Sequence, residues 1–167
     1  FDGIKKYIDE HNSGKSVGLP LNNCDILNKE IGGFNCDGNI YGVGANSGVG
    51  KSTTVMNYII PSILKFDEKV VFFINEEDQT KVQREMVIWV ANNIFKFDFP
   101  KYKLRDGNFN EETMTQLRKV ADWIEEKKEN QNITIVPLER YSVNIVIKLI
   151  KKYASLGVRY FVLDTLK

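Results

Sequence analysis

The sequence predicts an α/β fold, a parallel sheet with helices on both faces, and three observations carry that expectation. Continuous β-branched and aromatic runs recur: Lys69-Val70-Val71-Phe72-Phe73-Ile74-Asn75, Ile133-Thr134-Ile135-Val136 and Arg159-Tyr160-Phe161-Val162-Leu163-Asp164. Unbroken runs of this kind suit strands buried on both faces of a parallel sheet. Segments with apolar residues at helical spacing lie between them, as crossover helices must. Finally, a glycine-rich stretch, residues 44–53, joins the apolar run Ile40-Tyr41-Gly42-Val43 to the helix-like run Thr54-Val55-Met56-Asn57-Tyr58-Ile59-Ile60. That is a strand–turn–helix order.

In chain order, Phe1, Ile4, Tyr7 and Ile8 form a helical stripe that Asn12-Ser13-Gly14-Lys15-Ser16 ends. Residues 1–15 are therefore expected as an N-terminal helix, packed on its own domain or docked on a neighbouring subunit, ahead of a core spanning 16–167. A short helical piece near Cys24–Lys29 breaks at Gly32-Gly33. Pro61 should kink or stop the helix that follows the glycine-rich loop. Val82, Met86, Trp89 and Val90 mark the next helix and make Trp89 a core residue, not a base-stacking platform. Residues 95–109 mix aromatic and basic side chains. Such interleaving can mark nucleic-acid contact, but Pro100 and Asp106-Gly107 favour a loop between helices. Asn110 should cap a helix with Glu111 and Glu112 in its first turn and a buried stripe of Met114, Leu117, Val120, Ala121 and Ile124. Ser142 should cap another, with Val146, Leu149, Ile150 and Tyr153 inward, Lys148, Lys151 and Lys152 outward, and Gly157 closing it.

A chain of 167 residues can bury one real core. Its net charge of +1 offers no global basic footprint for nucleic acid. The apolar runs are too short to span a bilayer and no signal-peptide pattern occurs, so a cytoplasmic protein without a membrane partner is expected. Cys24 and Cys36 read as free intracellular thiols, with a disulfide or metal pair as the alternative. His11 is the sole histidine and sits in a polar stretch, which disfavours a histidine dyad. Position 1 is Phe, so the chain reads as a fragment at that end.

The chemistry is concentrated in Gly44-Ala45-Asn46-Ser47-Gly48-Val49-Gly50-Lys51-Ser52-Thr53. This stretch reads as a phosphate-binding P-loop for ATP, with Ala45 where the first glycine of the motif is usual. Glycines let successive backbone N–H groups face one anion, and the following helix adds its positive end. Ala45, Asn46, Ser47, Gly48, Val49, Gly50, Lys51, Ser52 and Thr53 are the expected nucleotide-binding residues. Lys51 reaches the β/γ-phosphates and Ser52 ligates Mg²⁺. Asp164 ends an apolar strand downstream, the Walker B pattern that delivers a second Mg²⁺ ligand. A carboxylate must also polarise the attacking water. Glu76 or Glu77, just past the run ending at Asn75, fits that place, against the plainer reading of Glu76-Glu77-Asp78 as an acidic turn into a helix.

Gly18-Leu19-Pro20, Leu27-Asn28, Gly32-Gly33-Phe34, the loop Ala45–Ser52, Val71-Phe72-Phe73 leading to Glu76, Arg105-Asp106-Gly107-Asn108-Phe109 and Phe161-Val162-Leu163-Asp164 together give a family likeness. The chain resembles the RecA-type motor domain of the replicative hexameric DNA helicases of DnaB type. The resemblance implies a RecA-like P-loop ATPase core and makes residues 1–15 the linker helix. It also implies Glu76 as catalytic glutamate together with Lys51, ATP and Mg²⁺ as cofactors, and single-stranded DNA inside a homo-hexameric ring as partner. The family commonly has methionine after that glutamate, whereas this chain has Glu77. Asp164 is followed by Thr165-Leu166-Lys167, where an aromatic–leucine–glutamine run is usual. The family's DNA-binding loops and arginine finger lie beyond the final residue of this sequence. A RecA-like recombinase or clock-type ATPase, and a nucleotide-binding assembly module, share the same core.

Overall fold

The computed structural model describes residues 3–12, 18–35, 38–46, 49–75, 78–139 and 142–164. Three parallel strands form the sheet: β1 (Val70–Ile74), β2 (Ile133–Pro137) and β3 (Tyr160–Asp164), in the order β2-β1-β3. All three coincide with the apolar runs. β1 is central and wholly buried. It pairs Val70 with Ile133 and Tyr160 at one end, and Ile74 with Pro137 and Asp164 at the other.

Side chains alternate between faces along a strand, and β1 sorts its residues accordingly. Val70, Phe72 and Ile74 join a large apolar cluster, while Val71 and Phe73 join a smaller one. The large cluster draws on the helical run 51–65, on α5 (Gln79–Asn93) through Val82, Met86, Trp89 and Val90, and on α7 (Glu111–Glu129) through Val120. The small cluster is closed by α8 (Val143–Ser155) through Val146, with Leu149, Ile150 and Tyr153 against it. Helices therefore cover both sheet faces, as the strand pattern predicts, and Trp89 is core.

The lead-in to the site is held by backbone contact. Leu19 and Phe34 exchange N–H···O bonds of 2.8 and 2.7 Å in an antiparallel bridge. A Cβ on Gly18 would stand 2.7 Å from the Phe34 carbonyl carbon, so this crossing admits only glycine. Asn28, on α2 (Asp25–Ile31), clamps Leu21 with both ends of its amide: Oδ1 accepts from Leu21 N at 2.6 Å and Nδ2 donates to Leu21 O at 2.7 Å. Ser62 Oγ accepts from Asn22 N at 2.6 Å and donates to Tyr58 O, tying the lead-in to the helix behind the glycine-rich loop. α2 ends at the double glycine, with Gly32 in the left-handed region. Cys24 is a free thiol; Cys36 lies outside the described residues.

Several expectations are corrected. Residues 40–43 form no strand; Ile40, Tyr41 and Val43 are exposed. A strand needs a neighbour to satisfy its backbone, and no described segment pairs with this one. Tyr41 instead serves the lead-in, its hydroxyl accepting from Asn35 N at 2.9 Å and its ring packing edge-on to Phe34. Pro61 does not stop its helix. α3 (Lys51–Thr54), a π-helical turn (Val55–Ile59) and α4 (Ile60–Lys65) run on continuously. Ile60 N–H donates to Val55 O, five residues back. This wide turn makes room for a ring that would otherwise clash with the carbonyl four residues earlier. The 95–109 segment is not all loop, since α6 (Lys101–Asp106) lies within it. Phe99 is buried in the large cluster, and Phe95, Phe97 and Phe109 pack against it while partly exposed. Met114 and Ala121 are exposed on α7, and Trp123 takes the inward place. Asn110 does cap α7, accepting from Thr113 N at 2.8 Å, but the Ser142 side chain makes no cap bond to α8. Lys148, Lys151 and Lys152 face outward.

α1 (Ile4–Asn12) forms where the stripe predicts it, with Ile4 and Ile8 exposed. Phe1 lies outside the described residues. Among the described residues no helix is long and apolar enough to cross a membrane.

Candidate nucleotide and metal site

Parallel strands place all their carboxyl ends on one edge, which is where open α/β sheets bind ligands. Here that edge is marked by Ile74 paired with Asp164, and by Asn75 N–H donating to Asp164 O at 2.9 Å. The strand pairing thus brings Asp164 beside the exit of β1, two residues before Glu76. Glu76 and Glu77 themselves lie outside the described residues, as do Ser47 and Gly48. Asp78 is described and acts as the N-cap of α5, accepting from Thr80 N at 3.2 Å. For that residue the plain helix-entry reading holds.

The described part of the glycine-rich loop curls around a lysine. Lys51 Nζ donates to Ala45 O at 2.9 Å and to Asn46 O at 3.1 Å. Gly50 N-caps the helix at φ 99°, a left-handed conformation that an L side chain rarely adopts. Thr54 completes the first turn, with N–H and Oγ1 both donating to Gly50 O at 2.9 and 3.1 Å. Ala45, Asn46 and Val49 are exposed, so the loop's outer rim is open to a ligand. A lysine turned onto two loop carbonyls thus lies at the start of a long helical run, whose first N–H groups are donors of the kind that meet a phosphate.

Ser52 and Thr53 line a small cleft together with Met56, Phe72, Lys81, Val82, Glu85 and Asp164. Two residues chosen from the sequence as metal ligands, Ser52 and Asp164, are therefore brought to one place from opposite ends of the core. Asp164 is only 4% exposed, and its Oδ2 is buried without a hydrogen-bond partner although the residue is engaged elsewhere. A hydroxyl and a carboxylate are the hard oxygen donors that Mg²⁺ takes, and Mg²⁺ characteristically completes its shell with water and substrate phosphates. Among the described residues no group of three or more His, Cys, Asp or Glu could hold a metal alone.

Lys81 and Glu85 were not singled out by sequence reasoning. Their signal is spacing: i, i+4 on α5, a turn beyond the strand-end acids, where one helix face looks back toward the sheet edge. Glu85 is held by Lys101 of α6 at 2.7 Å. A second, larger cavity of about 300 Å³ lies between α6 and the start of α7, lined by Tyr102, Lys103, Asp106, Asn108 and Phe109 among others. Arg105 pairs with its neighbour Asp106 at 2.7 Å.

No protein-family model matches this chain, and a search of curated proteins returns no match.

Proposed function

We propose that this chain is a RecA-like P-loop ATPase core, the ATP-hydrolysing motor domain of a replicative DNA helicase of DnaB type. The observation that carries the nucleotide half of the reading is the convergence of Ser52 and Asp164 on one cleft, next to a loop that curls around Lys51. The sheet order supports the reading as well, because it sets the strand leading to Glu76 directly beside the strand that ends in Asp164.

In this reading the loop amides and Lys51 hold and orient the β/γ-phosphates. Ser52 and Asp164 would hold Mg²⁺, which when bound would supply positive charge to the terminal phosphates. Glu76 orients the attacking water and takes its proton. Phosphoryl transfer asks for little covalent help from the protein, so positioning and charge stabilisation are the whole task. Single-stranded DNA and a homo-hexameric ring are the partners of the full-length protein, with α1 docking on the next protomer.

Calorimetry with Mg-ATP tests the first half. Lys51→Ala removes a charge-assisted contact worth about 1.5–3 kcal/mol, so affinity should fall by about tenfold or more. Equal affinity in both proteins sinks the nucleotide site. Phosphate release with and without single-stranded DNA, in the full-length protein, tests the second half. Hydrolysis indifferent to DNA would leave an ATPase of another RecA-like kind.

A further inference from the structure

We infer that Lys81 is a second phosphate-directed cation supplied in cis, facing the β/γ end of a bound nucleoside triphosphate from the side opposite Lys51; this deepens the nucleotide-site reading and rests on it. Lys81 lines the cleft that holds Ser52 and Asp164, whereas Lys51 does not. Lys51 is turned toward the loop carbonyls of Ala45 and Asn46. The two lysines therefore come from different elements, Lys51 from the start of α3 and Lys81 from α5. A lysine that lines the same cleft as Ser52 and Asp164 comes from the side of the site assigned to Mg²⁺ and the terminal phosphates, the end of the nucleotide that distinguishes ATP from ADP.

Lys81 lies in the first turn of α5, three residues past the N-cap carboxylate of Asp78. The carboxylate one turn on, Glu85, is already matched by Lys101 from α6. Lys81 is not a free cation in this structure, and its side chain is exposed enough to swing. Filling the cleft exchanges its present partner for phosphate oxygens.

The test compares Mg-ATP and Mg-ADP binding by calorimetry in the wild type, Lys81→Gln, Lys81→Arg and Lys51→Ala, with thermal melts to confirm folding. Lys81→Gln is expected to lose about tenfold in Mg-ATP affinity but to stay within about twofold for Mg-ADP, the loss of one charge-assisted contact. Lys81→Arg should retain the preference. Unchanged Mg-ATP affinity in Lys81→Gln, or equal loss for both nucleotides, overturns the inference. So does a tighter Mg²⁺ requirement, which would make Lys81 a counter-charge to Asp164. If Lys51→Ala weakens binding while Lys81→Gln does not, only the role of Lys81 falls. If the wild type itself ignores Mg-ATP, the nucleotide site falls with it.

Discussion

A hydrolytic carboxylate must stand one water away from the γ-phosphate, and two adjacent glutamates follow the strand that ends beside Asp164. Glu76→Gln in the full-length protein should abolish phosphate release while leaving Mg-ATP binding nearly intact, because it removes a group used chiefly in the transition state. Glu77→Gln should be mild. A reversed pair of rates in a steady-state assay would move the role by one residue. At this scale the sequence was most informative where a residue's task depends on its immediate neighbours. Asn110 caps its helix as its position before Glu111-Glu112 requires. Asp164 could be picked out because it ends an apolar run. Ser142 shows the limit: it stands at the N-cap of α8 yet its side chain makes no cap bond.

Between elements, side-chain amides act as staples. Asn28 clamps Leu21, and Asn92 clamps Phe99 in the same manner, Nδ2 donating to Phe99 O at 2.8 Å and Oδ1 accepting from Phe99 N. Asn28→Ala would strip both bonds from a Leu21 that is 5% exposed. The expected cost is about 1–3 kcal/mol, visible as a lower urea midpoint. Leu27→Ala, at an exposed neighbour, should stay within about 0.5 kcal/mol. Neither staple is legible in the sequence, since an asparagine's partner is fixed by tertiary approach. The same limit explains the 40–43 run. Its composition suits a strand, but pairing depends on which segment arrives beside it. The helices of 79–93 and 111–129 were legible because their apolar spacing is a property of the helix alone.

For the whole molecule, ligand binding and folding are one equilibrium. The proposed nucleotide site draws on α3, β3 and α5, so a ligand that binds there stabilises the entire core. At 100 times the dissociation constant Mg-ATP should add about 2.7 kcal/mol. For a domain of this size that is a rise in melting temperature of about 5–10 °C. The shift should shrink in Lys51→Ala at the same nucleotide concentration, and a melting curve that ignores Mg-ATP in the wild type would count against the site. The global architecture was legible because three apolar runs separated by helical segments leave few alternatives to a parallel α/β sheet, although only the central β1 is wholly buried. The convergence of Ser52 and Asp164 was foreseeable from motif order. The cleft's other wall was not, because Lys81 and Glu85 reach it only through the packing of α5.

The π-helical turn at 55–59 amounts to one residue more than a regular α-helix would need between the loop and the core. Above it stand Lys51 and Ser52 of the proposed nucleotide site; below it Ile60, Ile63 and Leu64 are locked into the core. A regular α-helix one residue shorter spans the same interval, so the extra residue is taken up as a bulge, and what it secures is room for the Pro61 ring. Deleting one residue within 55–59 together with Pro61→Ala should therefore regularise the helix with its two ends in nearly the same phase. That variant should unfold cooperatively in urea and still bind Mg-ATP. Loss of binding in a variant that folds cooperatively would show that the π turn itself sets the aim of the loop.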